Sequence, residues 1–215
     1  KIRTEVPKIR ARDAASLFFE VMEFEDAMDE LQIGPLQASL RYRGLKGSLE
    51  GATKNIMNQL LADATFKAKT VTENNDDFTY VCDTAMAAIK EWMGLTPEIE
   101  RKLAKKTWCA AELKIGPNGG VAEAEDFMKR IPRARAMMIR TRLHIIGDEG
   151  KEMDECMDLD EMVSAKVYEF IKAKREKPKN YMHYLKAVRE WINTQQSAYN
   201  LTPPQEKSLR VGPEV

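Results

Sequence analysis

Apolar side chains recur every three or four residues over most of this chain, and that spacing constrains its fold more than any other feature. Within residues 14–31, the recurring side chains are Leu17, Val21, Phe24, Met28 and Leu31. In an α-helix, residues at this spacing share one face, whereas a half-buried strand needs alternation at every second residue. Because no segment alternates convincingly, we expect an all-α protein of roughly eight or nine helices.

Capping residues, glycines and prolines set the expected helix ends. Predicted helices cover about residues 14–31, a short stretch through Leu36 and Leu40, then about 48–66, 78–94, 96–113, 122–131, 133–146, 160–175 and 180–196. Gly44 and Gly47 are expected to break the chain, and Ser48 to cap the next helix. Pro132 is expected to separate two helices, and the acidic stretch 148–158 to form a solvated loop.

The two ends differ from the helical body. Residues 1–12 and 197–215 contain prolines and lack a helical period, which predicts extended N-terminal and C-terminal arms. Residues 13–115 and 121–196 are predicted to form an N-terminal and a C-terminal helical lobe, with the glycine-rich turn at 116–120 between them. The two regions could form one compact domain or two packed lobes. The arms could lie on a neighbouring subunit, or pack back on their own domain.

Charge is balanced overall but sorted into blocks. The chain has 34 Lys and Arg against 34 Asp and Glu, for a formal net charge of zero. Residues 20–30 and 148–161 are mainly acidic, whereas residues 129–144 and 166–179 are mainly basic. A neutral molecule with patches of both signs is suited to binding copies of itself, or a polyanion and a basic partner at different places.

Several classes of protein are disfavoured. A hydrophobic content of 43% argues against disorder, and no apolar run is long enough to span a bilayer. The first residues lack the apolar centre of a secretory signal, and three separated cysteines suit reduced thiols, so we expect a cytoplasmic or virion location.

No phosphate-binding loop, nucleophile elbow, zinc motif or EF-hand spacing is present in the sequence. We therefore expect no enzyme activity, no cofactor and no metal.

The basic segment around residues 133–146 is the sharpest candidate site. On a helix, Arg133, Arg140 and His144 lie within one narrow arc, where arginines could line a groove and hold phosphates in bidentate contacts. The alternative is that these arginines pair with Asp148–Glu161 or Glu20–Glu30 of the same chain.

A second candidate is Arg41-Tyr42-Arg43, in which Tyr42 could stack on a base while its neighbours hold phosphate. More often such a tyrosine is a partly buried anchor. The cations of Lys172–Lys179 are expected to be the solvated C-terminal end of a helix, where they favour its dipole.

Three classes of function remain. The favoured one is a self-assembling structural protein that packages nucleic acid, expected to be RNA, as a viral coat or nucleocapsid protein does, through backbone contacts without sequence specificity. The alternatives are a helical adaptor or regulatory module that binds other proteins and, ranked last, an enzyme with a scattered site. The run Asp77–Val81 leading to Leu95–Glu98 loosely resembles the second capsid domain of retroelement Gag proteins. That likeness covers a small part of the chain, and no residue role is carried over from it.

Overall fold

The computed structural model describes residues 6–31, 37–71, 74–115, 120–144 and 149–201, and the regular secondary structure of this part of the chain is helical. Its helices are α1 (Ala14–Glu30), α2 (Ala38–Ser48), α3 (Gly51–Ala62), α4 (Ala64–Lys69), α5 (Asn75–Trp92), α6 (Pro97–Ala110), α7 (Val121–Arg140), α8 (Glu149–Met162), α9 (Ala165–Lys172) and α10 (Tyr181–Leu201). The predicted all-α class is confirmed. Within the described ranges no helix is both long enough and apolar enough to cross a membrane.

The chain divides into two compact units between Lys106 and Thr107, inside α6. In unit 1, the α2 helix packs along α5, and α3 and α4 pack beside them. The buried side chains include Phe24 and Met28 of α1, Leu45 of α2, and Ile89 of α5. The turn at 116–119, predicted to separate two lobes, lies outside the described residues.

The described part of the predicted N-terminal arm packs on its own unit. Ile9 is fully buried and forms an isolated parallel bridge with Leu49. Its amide donates to the Ser48 carbonyl at 2.8 Å, and its carbonyl accepts from the Thr53 hydroxyl at 2.9 Å. Residues 6–12 therefore follow the alternative in which the arm packs back on its own domain.

Unit 2 is built on α7, α8, α9 and α10, with α10 packed against the other three. Phe127 and Ile131 of α7 and Val188 and Trp191 of α10 are buried in its core. The predicted break at Pro132 is wrong, because α7 runs through it. Pro132 lies on the exposed side of the helix, while the opposite side is buried along its whole length. That burial outweighs a cost of about 3 kcal/mol for an interior proline.

The predicted break at Gly44 and Gly47 is also wrong, since both lie inside α2. Ser48 ends α2 instead of capping the next helix, and its hydroxyl donates to the Gly44 carbonyl at 2.7 Å. The segment predicted as one helix over 48–66 is divided into α3 and α4. Asp63 caps α4 by accepting from the Phe66 amide at 2.8 Å.

The acidic stretch predicted as a loop is helix α8. Its residues Glu155, Cys156, Leu159 and Met162 follow helical spacing and are buried, so the acidic side chains occupy the remaining faces. The predicted helix over 160–175 is consequently shorter, because α9 begins only at Ala165. Helix α10 continues to Leu201, which makes the start of the predicted C-terminal arm helical. Residues 202–215 lie outside the described part of the chain.

Candidate nucleic-acid interface

Two of the predicted arginines lie together on the outer face of α7. Arg133 and Arg140 are exposed, and exposed Lys129 precedes Arg133 by one helical turn on the same stripe. From Lys129 to Arg140 the stripe extends over about 16 Å at 1.5 Å per residue. Such a row of cations can contact successive phosphates of an extended strand.

His144 does not join this stripe. Its side chain is only 10% exposed, with Nδ1 3.3 Å from Glu155 Oε1 and Nε2 3.8 Å from Asp158 Oδ2. The ring meets Trp108 edge-on, with 4.8 Å between centroids. This placement does not favour the predicted contact with a phosphate, because α7 ends at Arg140 and the turn that follows directs the imidazole toward two carboxylates.

Arg135, on the opposite side of α7, forms the main buried ion pair of unit 2. Its Nε and Nη2 donate to the two carboxylate oxygens of Glu155 at 2.6 and 3.0 Å. The guanidinium also lies 4.2 Å from the centroid of the Tyr181 ring. Burial alone would raise the pKa of Glu155, but hydrogen bonding and the charge of Arg135, with the adjacent His144, lower it. For this arginine, the expected intrachain pairing with the acidic block is observed.

In unit 1 the predicted Arg41-Tyr42-Arg43 cluster does not form a stacking platform. Tyr42 is buried against Phe78, with 5.7 Å between ring centroids, and burial raises the pKa of its hydroxyl. Arg41 is half-buried and pairs with Glu25 of α1. Only Arg43 of the three is exposed. The ring of Tyr42 fills the space between α2 and α5, which fits the alternative of a buried anchor and does not favour the predicted base-stacking role.

Unit 2 contains a larger concentration of cations, which we call the cationic cleft. It is an open cleft of about 510 Å³ between the segment that follows α9 and the first turns of α10. It is lined by Lys174, Arg175, Glu176, Lys177, Pro178, Lys179, His183, Lys186, Ala187 and Glu190. Five Lys or Arg side chains thus face two carboxylates.

Most of these cations have no carboxylate partner in the part of the chain that the structure describes. Lys174 pairs with Glu190 across the cleft. Among the described residues, no carboxylate pairs with Arg175, Lys177, Lys179 or Lys186, and all four are exposed. Four such cations around one concave surface produce a positive potential that an anion would relieve. The cleft can therefore hold phosphate groups or another polyanion.

The sequence predicts a solvated helix end at Lys172–Lys179, and these cations do follow the end of α9, but the prediction did not place α10 opposite them. His183, Lys186, Ala187 and Glu190 follow helical spacing, so they share one face of α10. Pro178 and the Asn180 cap turn the chain between α9 and α10, and this turn brings that face opposite the basic segment. The juxtaposition needs the turn geometry, which single-residue propensities do not supply.

Comparisons of the chain with protein-family models, curated proteins and solved structures found no significant match. Within the described ranges, no group of three or more His, Cys, Asp or Glu side chains could hold a metal ion. The candidate interface of unit 2 thus consists of the cationic cleft and the α7 stripe of Lys129, Arg133 and Arg140.

Proposed function

We propose that this protein binds the phosphate backbone of a nucleic acid and packages it as a self-assembling structural protein. The observation that carries the proposal is the cationic cleft, in which one concavity is surrounded by four exposed cations that have no carboxylate partner among the described residues. The zero net charge does not oppose it, because only the contact surface has to be positive.

The chemistry of the cleft favours backbone contact over base recognition. Four of its five cations are lysines, which act as strongly hydrated point charges and bind phosphate without the planar geometry that reads base edges. Among the described cleft-lining residues there is no Phe, Tyr or Trp that could stack on a base. Binding is therefore expected to be insensitive to sequence and sensitive to salt.

The first test is binding of a labelled single-stranded RNA of about 20 nucleotides, measured by fluorescence anisotropy across a salt series. Changing Lys177, Lys179 and Lys186 together to Ala should weaken binding at least about tenfold near 100 mM salt. For a single strand, the slope of log affinity against log salt should fall by about 0.7 for each phosphate that the variant no longer neutralises. The affinity for a single-stranded DNA of the same sequence, measured in the same way, shows whether the protein distinguishes ribose from deoxyribose.

The matched control changes Lys102, Lys105 and Lys106 to Ala. These are also exposed lysines, removed in the same number, but they lie on α6 in unit 1. An equal loss in both variants would make the effect one of overall charge, and unchanged binding in the cleft variant would overturn the assignment. A separate Arg133→Ala/Arg140→Ala variant tests the α7 stripe. If no variant and no salt condition shows nucleic-acid binding, the helical adaptor becomes the better proposal.

A further inference from the structure

A second concavity of unit 2 is apolar where the cationic cleft is charged. This methionine groove has a volume of about 390 Å³ and lies between α8, α9 and the segment before α10. Met153 and Met157 of α8 form one wall, and they are 47% and 55% exposed. Tyr168 and Ile171 of α9 also line it. Exposed methionines beside a groove are adaptable contact surfaces, because their unbranched side chains fill irregular space.

Charges of opposite sign border the groove on its two sides. Exposed Lys172, Lys177 and Lys179 lie on the α9 side. On α8, Asp154 and Glu161 are exposed and lie along a single stripe next to the methionines. The surface therefore runs from acidic through apolar to basic.

We propose that the methionine groove is the contact surface for a second copy of this chain. Two copies related by a two-fold axis would each place the acidic stripe of α8 opposite the other's lysine rim, with the methionines between them. The occupant follows from this self-complementarity, because each copy supplies both the acidic and the basic half. This proposal rests on the self-assembly part of the proposed function, and it identifies the surface through which two copies would bind each other.

Apolar burial and charge have separate parts in this contact. The favourable free energy of association would come from burial of the apolar side chains of Met153, Met157 and Tyr168. The charges would set the antiparallel orientation and exclude parallel pairing, in which acidic stripes would face each other. Lys172 is the best rim residue to test, since Lys177 and Lys179 also line the cationic cleft.

The experiment uses two reversed-charge variants of the full chain, Asp154→Lys and Lys172→Glu, after nuclease treatment. Sedimentation velocity is measured up to about 100 μM protein, the range of weak specific contacts. Wild-type protein should dimerise, whereas each variant alone should associate at least about tenfold more weakly, because like charges now face each other twice per dimer. An equimolar mixture of the two variants should recover dimers, since one surface has become basic and the other acidic.

Two further variants make the outcome decisive. Met157→Ser removes apolar contact without adding charge, and it should abolish the dimer. Lys102→Glu on α6 matches the charge change of Lys172→Glu outside the groove, and it should leave the dimer unchanged. A monomeric wild type, variants that dimerise like wild type, or a mixture that fails to recover would each overturn the proposal. RNA binding is not measured in this experiment, and Lys172, Asp154 and Met157 do not line the cationic cleft, so failure of the groove and failure of RNA binding can be told apart.

Discussion

Glu155 shows how one residue can organise a buried polar cluster. Its side chain is 4% exposed, accepts two hydrogen bonds from Arg135 and lies beside His144. The acidic block of the sequence predicted partners for the arginines, but not which carboxylate would be buried. That choice follows from helical spacing, because Glu155 shares the inward face of α8 with Leu159 and Met162.

Replacing Glu155 with Gln should destabilise the protein by about 3 kcal/mol, because it leaves the half-buried Arg135 charge without its counterion. The pKa of Glu155 is lowered in the folded state. Its contribution is therefore full above the unfolded carboxyl pKa of about 4.3, and is lost as pH falls through the lower folded value. Urea unfolding of wild type and variant should thus differ strongly at pH 7, and converge as the pH falls below about 4.

The control for this prediction is Asp126→Asn, which removes an exposed carboxylate paired with Arg130 one turn away on α7. Such surface pairs contribute about 0.5 kcal/mol or less. Equal effects of the two substitutions would mean that burial of the Glu155 pair has no energetic consequence.

At the scale of elements, packing decided several helix boundaries against local preference. Gly44 and Gly47 lower the helix propensity of α2, yet the helix continues because Tyr42, Leu45 and Ser48 are buried. The same reason applies to Pro132 in α7 and to the acidic residues of α8. In α2, α7 and α8, helix-breaking or charged residues are tolerated because the opposite face of each helix is buried.

The two glycines of α2 should respond differently to alanine. A Cβ on Gly47 would meet no atom within 4 Å, so Gly47→Ala should stabilise the protein by about 0.5–1 kcal/mol. A Cβ on Gly44 would lie 3.0 Å from Met28 Cε, a fully buried side chain that would have to shift. Gly44→Ala should therefore raise the free energy of unfolding by less than Gly47→Ala does, or should lower it. Thermal unfolding of both variants checks the order, and a larger gain at Gly44 would contradict it.

On the scale of the whole molecule, the N-terminal segment belongs to the core of unit 1. Ile9 is fully buried and hydrogen-bonded to the segment between α2 and α3. Deleting residues 1–12 would consequently test folding before it tests assembly. Lys8 and Arg10 add contacts to Glu50, which help to lower the pKa of that exposed carboxyl.

Ile9→Ala should lower the free energy of unfolding by about 3 kcal/mol, which is typical of truncating a fully buried branched side chain. Leu40→Ala on α2 is the control, because Leu40 is 43% exposed and should lose less than about 1 kcal/mol. Urea unfolding followed by tryptophan fluorescence measures both. Similar losses for the two variants would mean that Ile9 does not anchor the segment in solution.

The helical class, the major apolar faces and the balanced charge blocks follow from local spacing and composition, which need no knowledge of distant contacts. Helices α1, α5 and α10 are predictable for this reason, since each carries a regular apolar stripe. The tertiary structure decided which charges are neutralised. It buried Tyr42 and His144, paired Arg135 with Glu155, and set the α10 face opposite the basic segment after α9. Those outcomes depend on turns and on residues far apart in the chain, and pairing between distant side chains has no local signature.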